Sequence, residues 1–125
     1  YPPLIENGVL SIMVAHIAVQ NNSKFETNGL PSTISSVIVQ ELLRDSLGFK
    51  GIIVTDAMNM GGIAKVPDAN VKAIDAGCDI VLMPIDARLA HKQIKAKYEA
   101  DIIFKEKVDI AAKRIIRMKF CLGII

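Results

Sequence analysis

The chain has 125 residues, 51% hydrophobic and 22% charged, which fits one globular domain and excludes a disordered segment. Lys and Arg number 15 and Asp and Glu 13, and a formal charge of +2 is too small for a nucleic-acid surface or an anionic-membrane surface. Cys78 and Cys121 lack CxxC spacing, Trp is absent, and no apolar run nears the ~18 residues of a membrane span, so a disulfide scaffold, a zinc site, a base-stacking platform and a membrane span are all disfavoured.

The chain opens Tyr1-Pro2-Pro3-Leu4, with neither Met nor a signal-like segment. Either something has been removed or the chain is a piece of a longer protein. Asn7-Gly8 marks a turn, and the apolar run Val9 to Ala15 after it predicts a strand buried on both faces. Gln20 to Pro31, rich in Asn, Ser and Gly, predicts a loop. A helix is expected over Ser36 to Leu47. Ser35 or Ser36 would cap it, Val39, Leu42, Leu43 and Leu47 would form its apolar face, and Gly48 would end it with Phe49 folding back.

Gly51 to Thr55 predicts a second strand with Asp56 at its tip. A loop over 57–68 follows, then a short helix near Ala69 to Ala76. Asp79 to Met83 predicts a third strand, stopped by Pro84. Asp86 is placed to cap a helix over Ala87 to Tyr98, and a last helix is expected over Lys105 to Cys121. Strands alternating with helices predict an α/β fold with parallel strands. In such folds chemistry sits at the C-terminal ends of the strands. Those ends are His16, Asp56 and the Pro84–Asp86 segment.

Asp56 is the foremost candidate, because a rigid strand carries its carboxylate to the functional face. An ordinary loop-capping Asp would occupy the same position. His16 could bind a substrate hydroxyl or act as a base, or its ring nitrogens could be satisfied by neighbouring backbone. Met58 and Met60 are either packing or an apolar wall beside a ligand. Asp75 and Asp109 read as solvated or capping, and Lys95-Ala96-Lys97 and Lys113-Arg114 as solvated helix faces. Asp79 falls at the opposite, stabilising end of its strand. No GxGxxG, P-loop, GxSxG or HExxH motif is present.

Three stretches together resemble glycoside hydrolase family 3, in its β-N-acetylglucosaminidase (β-hexosaminidase) branch. Ser11-Ile12-Met13-Val14-Ala15-His16-Ile17 is similar to the family's strand ending in Met-x-Ala-His. Leu30-Pro31-Ser32-Thr33-Ile34-Ser35, followed by Leu42-Leu43-Arg44-Asp45-Ser46-Leu47-Gly48-Phe49-Lys50-Gly51, is the second stretch. Ile53-Val54-Thr55-Asp56-Ala57-Met58-Asn59-Met60 is similar to the family's Ser-Asp-x-x-x-Met segment, whose Asp is the catalytic nucleophile. Ala76 to Met83 then resembles the strand that closes the barrel. Two departures stand out: Thr55 where Ser is frequent, and Ala57 where a second Asp is common.

The resemblance implies a TIM-like (β/α)8 barrel, of which residues 1–125 would be the C-terminal portion, about three βα units equivalent to strands six to eight. It implies a retaining glycosidase acting on terminal β-linked N-acetylglucosamine or a related β-glycoside. Asp56 would be the catalytic nucleophile, and His16, Met58 and Met60 would contact the substrate. No metal or organic cofactor is implied. The family's segment with its Lys, its His and the His–Asp acid/base pair has no match here. The chain alone is therefore expected to be inactive, and to need the missing N-terminal part of the barrel or self-association. Cytoplasm, periplasm and export all stay open. The rival is a stand-alone doubly wound binding or phospho-acceptor module using Asp56, although Ala15-His16 stands where such a module usually has acidic residues.

Overall fold

Two parallel strands form the centre of the computed structural model, which describes all 125 residues. The chain starts with a short helix, α1 (Pro2–Glu6), which the apolar spacing does not foretell. Its prolines occupy the first turn, where an N–H would be unpaired in any case. The chain turns at Gly8 (φ +78°) into β1 (Ser11–Val14). β1 pairs with β2 (Ile52–Thr55), with Ser11 opposite Ile52 and Val14 opposite Thr55. Burial along β1 alternates, with Ile12 and Val14 in the core and Met13 52% exposed. This corrects the expectation of a strand covered on both faces, since only one face of β1 packs against helices.

The expected third strand is also corrected. Residues 79–83 meet β2 through a single parallel bridge, Val54 with Ile80. The Ile53 carbonyl accepts both the Asp79 and the Ile80 N–H, at 2.7 and 3.2 Å, and the Thr55 hydroxyl takes the Leu82 N–H at 2.9 Å. A side chain has replaced the backbone acceptor that a regular ladder would use. Met83 then takes a left-handed conformation (φ +45°) just before Pro84, and the strand cannot continue.

Between the strands, Ser32–Ile34 makes a 3-10 turn and Val37–Ser46 a wide, π-type helix. The Leu47 N–H reaches back five residues to Leu42 O, and Gln40 donates to Asp45, also five residues on, at 2.9 Å. Ser36 sits at the N-cap without a side-chain capping bond, so the expected serine cap is absent. Gly48 (φ +65°) ends the helix, and Phe49 folds back, 2% exposed, with its N–H on Leu43 O. Gly51 passes so close to β1 that a Cβ would lie 2.4 Å from Leu10 O. That approach explains the glycine.

Three helices close the chain: α2 (Ala69–Ala76), α3 (Ala87–Ala100) and α4 (Ile102–Cys121). Asp86 and Asp101 cap α3 and α4, each accepting two backbone N–H groups at 2.9–3.1 Å. None of these helices is long and apolar enough to cross a membrane. Ile12, Val14 and Ile53 pack with Val39, Leu43 and Ala73 in the main core. A smaller cluster joins Val71, Ile74 and Phe104.

Several charges read as solvated in the sequence instead tie elements together. Asp75 accepts Lys97 Nζ at 2.6 Å and Lys107 Nζ at 2.5 Å, linking α2 to α3 and α4. Arg114 reaches from α4 to Asp79 at 3.0 Å. Burial pushes the Asp75 carboxyl up, but the hydrogen bonds and charges of Lys107 and Lys97 outweigh it and hold the group below its ordinary value. A carboxylate depressed in the folded state stabilises above its unfolded pKa, and loses that contribution as pH falls through the folded value. The stability gap between the native chain and Asp75→Asn is therefore expected to be constant near neutral pH. It should shrink as pH falls below about 4. Urea midpoints at several pH values measure it, and a gap that widens in acid would refute the assignment.

The two cysteines differ in the same way. Cys78 is 1% exposed; burial, then the neighbouring Asp79 carboxylate, pushes its thiol up to about 12. Cys121 is exposed. At about pH 8, iodoacetamide is expected to alkylate Cys121 and spare Cys78 until the chain is unfolded. Peptide mass spectrometry reads this directly, and early labelling of Cys78 would contradict the packing described above.

Candidate functional site

Asp56 leaves β2 at its C-terminal end. Its N–H donates to Val14 O at 3.0 Å, fixing the residue to the tip of β1. Its carboxylate is half-buried, and Oδ1 accepts the Ala57 N–H at 2.7 Å. A charged acceptor on a backbone donor at that distance is a strong, orienting contact. The Asp56 carboxylate is thus held by the frame of the sheet and by the first peptide of the following loop.

His16 emerges beside it from the end of β1. Its Nδ1 lies 2.7 Å from Thr33 Oγ1, and its Nε2 lies 3.1 Å from Ala57 O. Both ring nitrogens therefore have partners within the chain, one a side-chain hydroxyl and one a backbone carbonyl. Thr33, fully buried in the 3-10 turn, also lies 3.1 Å from Val14 O and Ala15 O. The loop after Asp56 returns across His16, and a Cβ at Gly62 would stand 3.5 Å from His16 O.

The two methionines separate. Met58 is 3% exposed and packs in the core, its N–H bonded to Leu82 O at 2.9 Å. This burial fits the packing alternative. Met60 is 47% exposed on the same loop. Thr55, where the resembled family often has Ser, is buried and uses its hydroxyl to bind Leu82 N–H. Either hydroxyl residue could do that. Sequence reasoning did not single out Thr33 for the site. Its signal is the Leu30–Ser35 segment, which needs the fold to reach His16, 17 residues away.

On the opposite end of the sheet, Asp79 has no exposed side-chain surface, and its Oδ2 meets Arg44 at 2.5 Å and Ile53 N–H at 2.8 Å. This cluster holds the strand starts, as expected for that end of an α/β sheet.

Comparison with known proteins places these features in a family. Residues 1–118 match the model of the glycosyl hydrolase family 3 N-terminal domain. A "Beta-N-acetylglucosaminidase/beta-glucosidase" of Cellulomonas fimi is 32% identical over 99% of this chain and 24% of its own length. The crystal structure of a beta-N-acetylhexosaminidase from Beutenbergia cavernae superposes with a TM-score of 0.80 at 34% identity, over 94% of this chain and 36% of that one. A structure described as beta-glucoside phosphorylase BglX superposes with a TM-score of 0.86 at 27% identity, over 99% of this chain and 24% of that one. The chain thus spans about a quarter to a third of these relatives. They lend no support to the stand-alone binding or phospho-acceptor reading. The small α/β unit built on β1 and β2 therefore matches the TIM-like N-terminal domain of these enzymes, and the chain belongs to glycosyl hydrolase family 3.

Proposed function

We propose that this chain supplies the nucleophile side of a retaining β-glycosidase site, with Asp56 as the attacking group and terminal β-linked N-acetylglucosamine as the sugar. The observation that carries the reading is the setting of Asp56: a half-buried carboxylate at a parallel-strand tip, oriented by the Ala57 N–H at 2.7 Å. With Oδ1 so engaged, Oδ2 is the oxygen that attacks the anomeric carbon. The bond to the leaving oxygen breaks as a separate acid protonates it, and a glycosyl ester forms on Asp56. Water then cleaves the ester and returns the carboxylate. The sugar assignment draws on the relatives from Cellulomonas fimi and Beutenbergia cavernae. Met60, about half exposed on the loop that follows Asp56, is offered as the apolar contact to the sugar.

The acid/base group is proposed to come from outside residues 1–125. Two paired strands and one bridge cannot close a barrel. Met13 on β1 and Leu10 before it are more than half exposed, as expected of a face that further strands or a second copy would cover.

A fusion in which this chain replaces the matching part of the Beutenbergia cavernae enzyme tests the reading. Inactivation by a mechanism-based fluorosugar, followed by peptide mapping, is expected to place the label on Asp56. A label on another carboxylate would remove Asp56 from the role. The chain by itself is expected to leave an aryl N-acetylglucosaminide intact.

A further inference from the structure

We propose that His16 is a positioning residue: by holding the Ala57 carbonyl it fixes the start of the loop, so that the Ala57 N–H keeps the Asp56 carboxylate in the attacking orientation. The inference rests on the reading of Asp56 as nucleophile. It adds Thr33, His16 and Ala57 as the parts that aim it.

The argument begins with what a carbonyl can do. Ala57 O only accepts, so the hydrogen on the 3.1 Å contact belongs to His16 Nε2. In a neutral ring, Nδ1 is then an acceptor, and the Thr33 hydroxyl donates to it at 2.7 Å. In a protonated ring, Nδ1–H donates to Thr33 Oγ1, whose own hydrogen turns to Val14 O or Ala15 O at 3.1 Å. Both states leave Nε2–H on Ala57 O. The clamp therefore holds whatever the charge of His16. Thr33 has no exposed surface and is rigid in its turn, so the ring is fixed from behind.

Ala57 links the clamp to the site. Its C=O accepts from His16 Nε2 and, inside its own turn, from Met60 N–H at 3.0 Å, and its N–H is held by Asp56 Oδ1. The two groups lie in successive rigid peptide planes joined at the Ala57 Cα, so fixing the carbonyl limits φ and ψ of Ala57 and hence how the loop turns away from the Asp56–Ala57 peptide. Without the His16 bond the Ala57–Met60 turn keeps only its internal hydrogen bond and can shift as a unit, taking the Asp56 contact with it. With both ring nitrogens engaged inside the protein, His16 takes no part in proton transfer. Its effect on the reaction passes through Asp56.

The experiment uses the full 125-residue chain labelled with 15N. Long-range 1H–15N spectra at about pH 8 are expected to show His16 as the Nε2–H form. Thr33→Ser should keep that form, and Thr33→Val should mix the tautomers. Exchange of the Ala57 amide is expected to speed up about tenfold or more in His16→Phe and in Thr33→Val, with Ile53 N–H as an unchanged control. His16→Gln, whose amide can still donate to Ala57 O, should restore most of the protection. An Nδ1–H ring in the native chain, or unchanged Ala57 exchange in both variants, would overturn the clamp. If His16→Phe does not fold, Thr33→Val and the native tautomer decide. Because no turnover is read, a label missing from Asp56 in the fluorosugar experiment would sink the nucleophile and leave the clamp standing.

Discussion

Asp56→Ala in the fusion with the Beutenbergia cavernae enzyme is expected to lower kcat by about 10⁴- to 10⁶-fold, the cost typical of losing a nucleophile or its direct partner. KM should change little, because the other contacts to the sugar remain. The size of the loss separates two roles for the same carboxylate. A loop cap contributes only about 0.5–2 kcal/mol of stability, and its loss leaves turnover nearly intact at temperatures where the protein is folded. Azide gives a second readout, as a small anion that fits where the carboxylate was. It should restore part of the rate and yield a glycosyl azide of α configuration, since it attacks from the face Asp56 occupied. His16→Ala should cost less, about 10- to 1,000-fold, because an orienting contact is lost while the attacking group stays. Near-native turnover in Asp56→Ala, or a β-configured azide product, would rule out the assignment.

The strand-tip position of Asp56 was legible because it depends on one local pattern: a continuous apolar strand that stops at a carboxylate. The motif around it is what the proposed chemistry of that position rests on. β1, β2 and the last three helices follow from the same kind of signal, apolar spacing with Gly, Pro and Asp as punctuation. The third strand failed where a side chain entered the ladder. The Thr55 hydroxyl takes the hydrogen bond that regular pairing assigns to a carbonyl, and no periodicity records that. The π-type register of residues 37–46 is likewise invisible, since apolar spacing suits an α-helix nearly as well. Lys97 and Arg114 looked solvated because their partners lie 22 and 35 residues away. The clamp on Ala57 was hidden for a related reason. Its buried member is a threonine, a residue type that carries no chemistry until a histidine is brought against it.

Asp79→Ala is expected to be the most damaging single change to the fold, at about 3–5 kcal/mol, the usual cost of stranding a buried charge. Asp79 and Arg44 have 0% and 5% of their side chains exposed and meet at 2.5 Å. Burial lowers the Arg44 guanidinium below its ordinary value and Asp79 opposes that shift, so removing Asp79 leaves a charge the site was built to neutralise. Arg44 would keep its bonds to Phe49 O and Gly51 O, at 3.0 and 2.6 Å, and so could not swing out to water without releasing the turn before β2. Ile53 N–H loses its 2.8 Å acceptor in the same substitution, adding a buried donor with no carboxylate. Arg114→Ala removes the third member of the cluster from a site one-third exposed, and should cost about 1 kcal/mol or less. The ordering matters more than the values, because a domain of this size commonly holds about 5–15 kcal/mol in all. Urea unfolding of the three chains should rank the native chain first, Arg114→Ala close behind and Asp79→Ala far below. Replacing both Arg44 and Asp79 by apolar residues of similar volume should recover much of the loss, since no charge is then stranded. Equal midpoints for Arg114→Ala and Asp79→Ala would show that the buried pair does not hold the strand starts, and a double variant no better than Asp79→Ala would place the cost in packing instead of charge.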